Sequence, residues 1–542
     1  MNRPFSLIAS FIVLFSACQP GGGREDPYQA LAGQYEQVVL TADLSKLSAS
    51  EKEILPLLIS AAEKIDKIFW LQTFGGSRES LLEAISEESA REYALINYGP
   101  WSRLAGHTAF YPGFEDKPLG AQFYPADMTR EEFDNWDDPL KNSPYTMIHR
   151  GANGELQALP YSATFYRELA EISGLLTEAA QLAEYGGLAD FLFALSDDIL
   201  SDNYSKSEYA WMQMTENDID LVMRPLDTGE DRMFGYKAAY STYILVRDRE
   251  WSARLERYAG LSGAMRERLP VPEAYRQGDP GSGSEINVYD ALYYAGHCNA
   301  GPKIIALYLP RDPEVQRQTG IRSMQLKNVM EAKYEHILAP IGRMMIHETQ
   351  RNMVHSDAFF LLTAFHEIAA SLGMSNTIDG KGSVRNALRE HHNTIDATAT
   401  DLMALFMIAQ LAKMGEITEE QFRQAYVTSF ASVMRSSRFG AAGAHGIAGM
   451  IRFNFFEWEE VFQRCPETLT YEVNVEKMKA AVEKALEKLI MIQGDGDYEA
   501  AARLIGRDGS MPGYFRGDID RINAADIPVD VYFKQGMDHL DL

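Results

Sequence analysis

Cysteine is nearly absent from this chain of 542 residues, which contains three in all. One of them, Cys18, lies in the N-terminal segment, so that only Cys298 and Cys465 remain in the body of the chain. A disulfide framework of the kind that holds small secreted domains together is therefore excluded. We expect both body thiols to be unpaired and buried, although an exported protein could join them.

Positive charge is also scarce. The chain has 51 lysine and arginine residues against 77 aspartate and glutamate residues, which gives a net charge of -26. Phosphate binding needs clustered lysine and arginine, so we exclude nucleic acid as a partner. The same balance argues against adsorption to an anionic membrane surface. The length is ample for about two to four domain-sized units.

No apolar run at the N-terminus is long enough to span a bilayer, which needs about 20 residues. The run FSLIASFIVLF predicts a signal peptide over residues 1–17. Small residues precede Cys18 as in a bacterial lipobox, so we expect Cys18 to be lipidated. The alternative is an ordinary secretory signal that is cut near Cys18. The prediction is thus an exported, membrane-anchored lipoprotein of a bacterial cell envelope.

Helical periodicity dominates the rest of the chain, with strand-like segments in its middle. SASEKEILPLLISAAEKIDKIFW begins with Ser and Glu capping signals and continues at helical spacing. DIDLVMRPL, YSTYILVRD and GPKIIALYLP have the composition of strands. Two long apolar helices are predicted next, from Ser356 to Gly373 and from Ser383 to Gly415, and we expect them to pack together. The fold class is α+β and mostly helical.

The stretch FHEIAASLG begins like a zinc-peptidase helix, with His366 followed by Glu367. A catalytic zinc ion needs three protein ligands, and two of them are often histidines four residues apart on one helix face. Ala370 and Ser371 stand where a second histidine would follow. A lone His-Glu pair is therefore a weak signal, and the alternative is a hydrogen-bonded core histidine beside a glutamate.

Several ordered blocks make the signal more specific. They are VYDALYYAGHCNAGPKIIALYLPRD, RSMQLKNVMEAKYEHILAPI, SDAFFLLTAFHEIAASLG, SVRNALREHHNTIDATATDLMAL and RFGAAGAHGIAGMIRFNFF. Together they resemble the bacterial branch of the dipeptidyl peptidase III family of zinc metallopeptidases. The resemblance implies two lobes around a wide cleft, in which a helical lobe carries the metal and a mixed lobe contains a small β-barrel-like core. It also implies the release of dipeptides from peptide N-termini.

The N-terminal signal and the resemblance together divide the chain into five predicted parts. These are the signal peptide 1–17, the lipidated cysteine and tether 18–30, a mixed α/β lobe formed by 31–245 plus 283–328, a helical lobe formed by 246–282 plus 329–510, and a C-terminal return segment 511–542.

The resemblance also assigns site residues, and it exposes departures from the family pattern. His366 matches a zinc ligand, Glu367 the catalytic base, His445 the cleft histidine, and Asn299 lies in the segment that clamps the peptide backbone. The other two ligand positions are occupied by Ala370 and Ala397, between Asp396 and Asp401 on the second helix. Leu226 stands where the family has a tyrosine that stabilises the oxyanion.

These departures predict a degenerate zinc site with no bound cofactor. The protein would then bind a peptide or a partner protein in the retained cleft. The alternative is an active metal-dependent exopeptidase with a remodelled zinc site, in which His391, His392 and Asp396 replace the lost ligands. A third interpretation is a structural envelope lipoprotein with a vestigial cleft.

Overall fold

The computed structural model describes residues 26–276, 285–370, 372–440 and 443–540. The predicted signal peptide and Cys18 lie outside these residues. The helices are α1 Gln29–Ala32, α2 Ala49–Thr73, α3 Arg78–Ala84, α4 Glu88–Asn97, α5 Arg130–Asn135, α6 Tyr161–Thr164, α7 Tyr166–Leu182, α8 Gly186–Asp198, α9 Ser205–Gln213, α10 Arg249–Gly260, α11 Ser262–Arg266, α12 Pro313–Thr319, α13 Lys327–Lys333, α14 Ala339–Met345, α15 Ser356–Ala370, α16 Val384–Leu388, α17 His392–Met414, α18 Glu419–Ser437, α19 Ala444–Trp458, α20 Val475–Asp495, α21 Tyr498–Asp508 and α22 Gly513–Ala524.

The strands are β1 Tyr35–Val39, β2 Trp101–Ser102, β3 Thr108–Ala109, β4 Thr146–Arg150, β5 Leu156–Pro160, β6 Ile219–Asp227, β7 Ala239–Arg247, β8 Glu285–Gly296, β9 Ala306–Leu309, β10 Arg322–Leu326, β11 Phe462–Arg464, β12 Tyr471–Val473 and β13 Asp530–Lys534. The three segments with strand composition correspond to β6, β7 and β9, as the sequence predicted.

The central sheet has five strands in the order β6-β7-β8-β10-β9. Strands β8 and β10 are parallel, and the other neighbouring pairs are antiparallel. The sheet forms a half-barrel in which β9 is an edge strand. The mostly helical α+β fold class predicted from the sequence is thus confirmed.

Buried side chains form two large apolar clusters, one for each lobe. The mixed-lobe cluster contains side chains from helix α2, from helices α7 to α9 and from the central sheet. The helical-lobe cluster takes in α15 and α17 to α22, together with Ile286 and Val288 from the start of β8. Strand β13 returns to the mixed lobe and pairs with β1 in parallel.

Local sequence explains the long helix α2, which packs against the sheet. Its N-cap residue, Ser48, accepts a hydrogen bond from the Glu51 backbone at 3.1 Å, and the Glu51 side chain accepts one from the Ser48 backbone at 3.0 Å. This capping box satisfies two amide groups that the first turn leaves without partners. The capping signals read from the sequence are therefore confirmed.

The two long helices predicted to pack together do so as α15 and α17, but their bounds need correction. Helix α15 is Ser356–Ala370, whereas the sequence predicted a helix near 357–372 with Gly373 as the residue that follows it. The second predicted helix, from Ser383 to Gly415, is interrupted at Arg389, whose φ of 50° is incompatible with a continuous helix. Its C-terminus is as predicted, with left-handed Gly415 as the cap.

The body thiols and the apolar helix segment have ordinary structural roles. Cys298 and Cys465 are free thiols, and Cys298 is buried. Cys465 is half-buried, which corrects the expectation that both are buried. Among the described residues, one segment, Val384–Met414, is long and apolar enough to span a membrane, but 83% of its most apolar window is buried inside the protein. We therefore regard it as a core segment.

Candidate functional site

The site predicted from the sequence centres on the contact between α15 and α17. The His366 Nδ1 atom lies 2.9 Å from Asp401 Oδ1, and Arg452 Nη2 of α19 lies 2.8 Å from Asp401 Oδ2. Burial alone would lower the pKa of His366, but the hydrogen bond and charge of Asp401 raise it above its ordinary value. Burial would raise the pKa of Asp401, but the charges of Arg452 and His366 lower it.

Helix α19 contributes a second histidine to this region. His445 lies in its first turn, and the His445 and His366 ring centroids are 6.4 Å apart. Arg452 lies seven residues further along the same helix, on the same face. One helix thus places both His445 and the arginine that pairs with Asp401 beside His366. The arginine was missed from the sequence, although its spacing from His445 gives a helical signal.

The face of α17 that meets His366 carries an alanine. Ala397 precedes Asp401 by one helical turn, so the two side chains share a face. The side chain of Ala397 is buried, with 6% exposure. Within the described ranges, no group of three or more His, Cys, Asp or Glu side chains is arranged to hold a metal ion. The residues present therefore do not fit the three-ligand set that catalytic zinc requires.

The predicted substitute ligands point to other partners. Asp396 Oδ1 accepts a hydrogen bond from Gln493 of α20 at 3.4 Å. The His391 ring packs on Tyr498, with 4.8 Å between the centroids. His392 Nδ1 lies 3.2 Å from the side chain of the following residue, Asn393. The structure does not bring these three residues to His366.

Glu367 faces the mixed lobe. Its carboxylate lies against the phenol of Tyr308, and burial together with the charge of Glu367 raises the pKa of Tyr308. Tyr308 belongs to β9, where Leu307 and Leu309 point into the mixed-lobe core. The alternation of these strand residues is a signal that Tyr308 points away from the mixed-lobe core.

Two further predicted residues lie in the mixed lobe. Asn299 Nδ2 donates to the Tyr98 hydroxyl at 2.9 Å, and Lys303 Nζ donates to the Asn299 carbonyl at 2.6 Å. The Asn299 Oδ1 atom is buried and has no hydrogen-bond partner among the residues that the structure describes. Leu226 lies near the end of β6, beside a register shift, and packs against the mixed-lobe core.

Comparison with known proteins identifies the architecture. No protein-family model matches the chain. The solved structure of dipeptidyl peptidase III from Caldithrix abyssi superposes with a TM-score of 0.88 at 31% identity, over 94% of this chain and 99% of that one. The enzyme from Corallococcus sp. strain EGB gives a TM-score of 0.75 at 30% identity, over 94% and 96% of the two chains.

A protein from Arabidopsis thaliana named Nudix hydrolase 3 is 29% identical over 587 residues, which cover 96% of this chain and 75% of that protein. Together with the two lobes and the histidine-glutamate helix, the comparisons define a protein with a peptidase-type architecture. The chain belongs to the dipeptidyl peptidase III family. This family assignment confirms the resemblance found in the sequence.

Proposed function

We propose that this protein is a peptide-binding member of the dipeptidyl peptidase III family that does not hydrolyse peptides through zinc. A partner protein that presents an extended segment would serve equally as the ligand. The family and the peptidase-type architecture support the binding of peptides. The chemistry of the α15–α17 contact supports the absence of zinc-dependent hydrolysis.

One observation carries this proposal: Ala397 occupies the helix face that meets His366. Zinc lowers the pKa of its bound water from about 15.7 to near 7, which makes a nucleophile at neutral pH. His366 alone, with its Nδ1 atom directed to Asp401, does not provide a zinc-binding set. Glu367 then has no metal-activated water from which to take a proton.

The edge of the central sheet supports a location for the ligand. The Leu326 amide of β10 donates to the Ile305 carbonyl at 2.9 Å. In an antiparallel pair, only every second residue of a strand directs its backbone groups to the neighbouring strand, and the residues between them direct theirs away from it. The outward backbone groups of β9 therefore belong to Ala306 and Tyr308. Tyr308 faces Glu367 of the helical lobe, so this edge borders the space between the lobes. An extended peptide would add to β9 through main-chain hydrogen bonds.

An active metal-dependent exopeptidase is the second candidate. The observation that favours it is the retention of His366, Glu367, Asp401 and His445 around one position between α15, α17 and α19. This candidate needs metal ligands that the described residues do not bring together. A metal-dependent activity in the wild-type protein would support it against our proposal.

We further propose that the protein is an exported lipoprotein of the bacterial cell envelope, anchored by lipid on Cys18. The support is the short apolar run followed by small residues and a cysteine. Several acyl chains on one residue anchor a protein stably, whereas a single chain binds weakly.

The test of the proposed function combines three measurements on the purified wild-type protein. Metal content is measured by mass spectrometry, hydrolysis of dipeptidyl arylamides is measured with and without a chelator, and peptide binding is measured by calorimetry. We expect no stoichiometric zinc, no chelator-sensitive hydrolysis and measurable peptide binding. Hydrolysis that a chelator abolishes would overturn the proposal in favour of the second candidate.

The ligand location is tested by a matched pair of variants. Replacing Tyr308 by proline removes an outward amide of β9, whereas Tyr308→Phe keeps the backbone and removes only the hydroxyl. We expect the proline variant to lose peptide binding and the phenylalanine variant to retain it. Circular dichroism and thermal unfolding establish that both variants are folded. Equal binding by two folded variants would exclude β9 as the site.

A further inference from the structure

The loop that follows β9 carries an arginine beside the C-terminal end of this edge strand. Arg311 follows the last strand residue, Leu309, by two positions. Its side chain is exposed, whereas its backbone is held in place. The Arg311 amide donates to Glu208 Oε1 at 2.7 Å, and the Asp312 amide donates to Glu208 Oε2 at 3.1 Å.

The carboxylates of Glu208 and Asp312 already have partners. Glu208 forms a buried ion pair with Arg224, and each side chain of the pair is 7% exposed. Asp312 caps helix α12 by accepting hydrogen bonds from the Glu314 and Val315 amides at 2.7 and 3.3 Å. Within the part of the chain that the structure describes, the Arg311 guanidinium therefore has no carboxylate partner.

We propose that Arg311 selects ligands that carry a carboxylate at the end of the peptide that lies beside the β9–α12 loop. This inference rests on the proposed function, because it concerns the ligand that adds to β9. Arginine presents a fork of N–H donors that matches the two oxygens of a carboxylate. The hydrogen bonds from the Arg311 and Asp312 amides to Glu208 fix the backbone from which this side chain extends.

The carboxylate has two sources, which depend on the direction of the peptide. A peptide that runs antiparallel to β9 places its N-terminal residues beside Arg311, so the carboxylate is an aspartate or glutamate side chain there. A peptide that runs parallel to β9 places its C-terminus there, so the carboxylate is the free carboxyl group. Both cases exploit the same guanidinium chemistry.

The experiment measures binding of defined hexapeptides to the purified protein by calorimetry. The probes are N-acetylated peptides of sequence X-Thr-Val-Thr-Ala-Ser, where X is aspartate, asparagine or lysine, each with a free or an amidated C-terminus. An exposed ion pair contributes up to about 1 kcal/mol, which corresponds to about fivefold in affinity. We expect about threefold to fivefold tighter binding of the aspartate peptide than of the asparagine peptide. If the peptide runs parallel to β9, we expect the same gain in affinity for peptides with a free C-terminus over the amidated peptides.

Two arginine variants show whether the effect is local. Arg311→Gln is expected to abolish the preference. Arg317→Gln removes another exposed cation, on α12, which already pairs with Glu314, and is expected to keep the preference. In 1 M salt, where the screening length is about 3 Å, the wild-type preference is expected to shrink.

The outcomes separate this inference from the proposed function. If the peptides bind but neither aspartate nor a free C-terminus improves affinity, the role of Arg311 is overturned and peptide binding stands. A preference that survives in Arg311→Gln also overturns it. If no probe binds to the wild-type protein at millimolar concentration, both the inference and the β9 ligand site are overturned.

Discussion

His366 and Asp401 lie in direct contact across α15 and α17, with 2.9 Å between Nδ1 and Oδ1. Metal-binding histidines commonly donate their second ring nitrogen to a carboxylate in this way. The contact that would orient a metal-binding histidine is therefore kept, while the neighbouring position on α17 is Ala397. Helices α15 and α17 pack together at this contact.

This arrangement predicts that zinc binding can be restored by two substitutions. In Ala370→His with Ala397→Glu, the two helices would again present three ligands together with His366. We expect one zinc ion per molecule by mass spectrometry after dialysis, and none in the wild-type protein. The control is Ala370→His with Ala397→Gln, which has similar side-chain size but no carboxylate. Zinc bound equally by this control would contradict the predicted role of position 397.

Hydrolytic activity is expected to return only in part in that double variant. Leu226 would still provide no hydroxyl to the developing oxyanion, and the loss of one oxyanion donor costs about 10² to 10³ in rate. Adding Leu226→Tyr should raise the rate of dipeptidyl arylamide hydrolysis without tightening zinc, while Leu226→Phe should not. A similar rate for the tyrosine and phenylalanine variants would argue against an oxyanion role at this position.

The buried pair of Arg224 and Glu208 should be essential to the stability of the mixed lobe. Arg224→Leu leaves Glu208 buried without its counterion, and removing one partner of a buried ion pair costs about 3–5 kcal/mol. We expect this loss in the free energy of unfolding measured with urea. Arg317→Gln, at an exposed pair, should change it by at most about 1 kcal/mol. Equal stability of the two variants would show that the buried pair contributes little.

Acid should destabilise the protein partly through two histidines of the mixed lobe. Burial and the charges of Arg103 and Lys117 lower the pKa of His107 to about 3 and that of His297 to about 4. An unfolded histidine has a pKa of about 6.5, so the unfolded state binds protons first as the pH falls. The stability that these groups contribute is complete above about pH 6.5 and is lost towards pH 4 and 3.

The measurement for this prediction is urea unfolding at pH 7 and pH 5. In His297→Gln we expect a smaller loss of stability between these two pH values than in the wild-type protein. His445→Gln serves as the control, because the His445 ring is exposed and not enclosed in this way. The prediction is wrong if His297→Gln and wild type lose the same free energy on acidification.

If Cys18 is lipidated, as we propose, the protein should partition with membranes. The measurement is the detergent-phase fraction in a phase-separation assay, with Cys18→Ala as the variant. Cys465→Ala is the control, since that half-buried thiol lies in the body of the protein. We expect only Cys18→Ala to move into the aqueous phase. Equal aqueous fractions of all three proteins would rule out the anchor.

The sequence was most informative where local chemistry determines structure. The Ser48 capping box, the Gly415 cap and the strand composition of β6 and β7 each depend on nearby residues. The ordered blocks led to the family, since several motifs in sequence are more specific than one. The positions of His366 and Ala397 on facing helices were expected from the same blocks.

The features that the sequence did not reveal depend on contacts between distant segments. Nothing near Arg389 predicts the interruption before α17, where the backbone adopts a positive φ. The pairing of Asp401 with Arg452 and the approach of Tyr308 to Glu367 join separate elements. Periodicity indicates which side of an element is apolar, but it does not indicate which partner lies opposite.

The parallel pairing of β1 with β13 has a consequence for how the protein is made. The mixed lobe joins residues 35–39 to residues 530–534, so this strand pair cannot form until β13 has been synthesised. A nascent chain that leaves the ribosome would carry an incomplete mixed lobe throughout elongation.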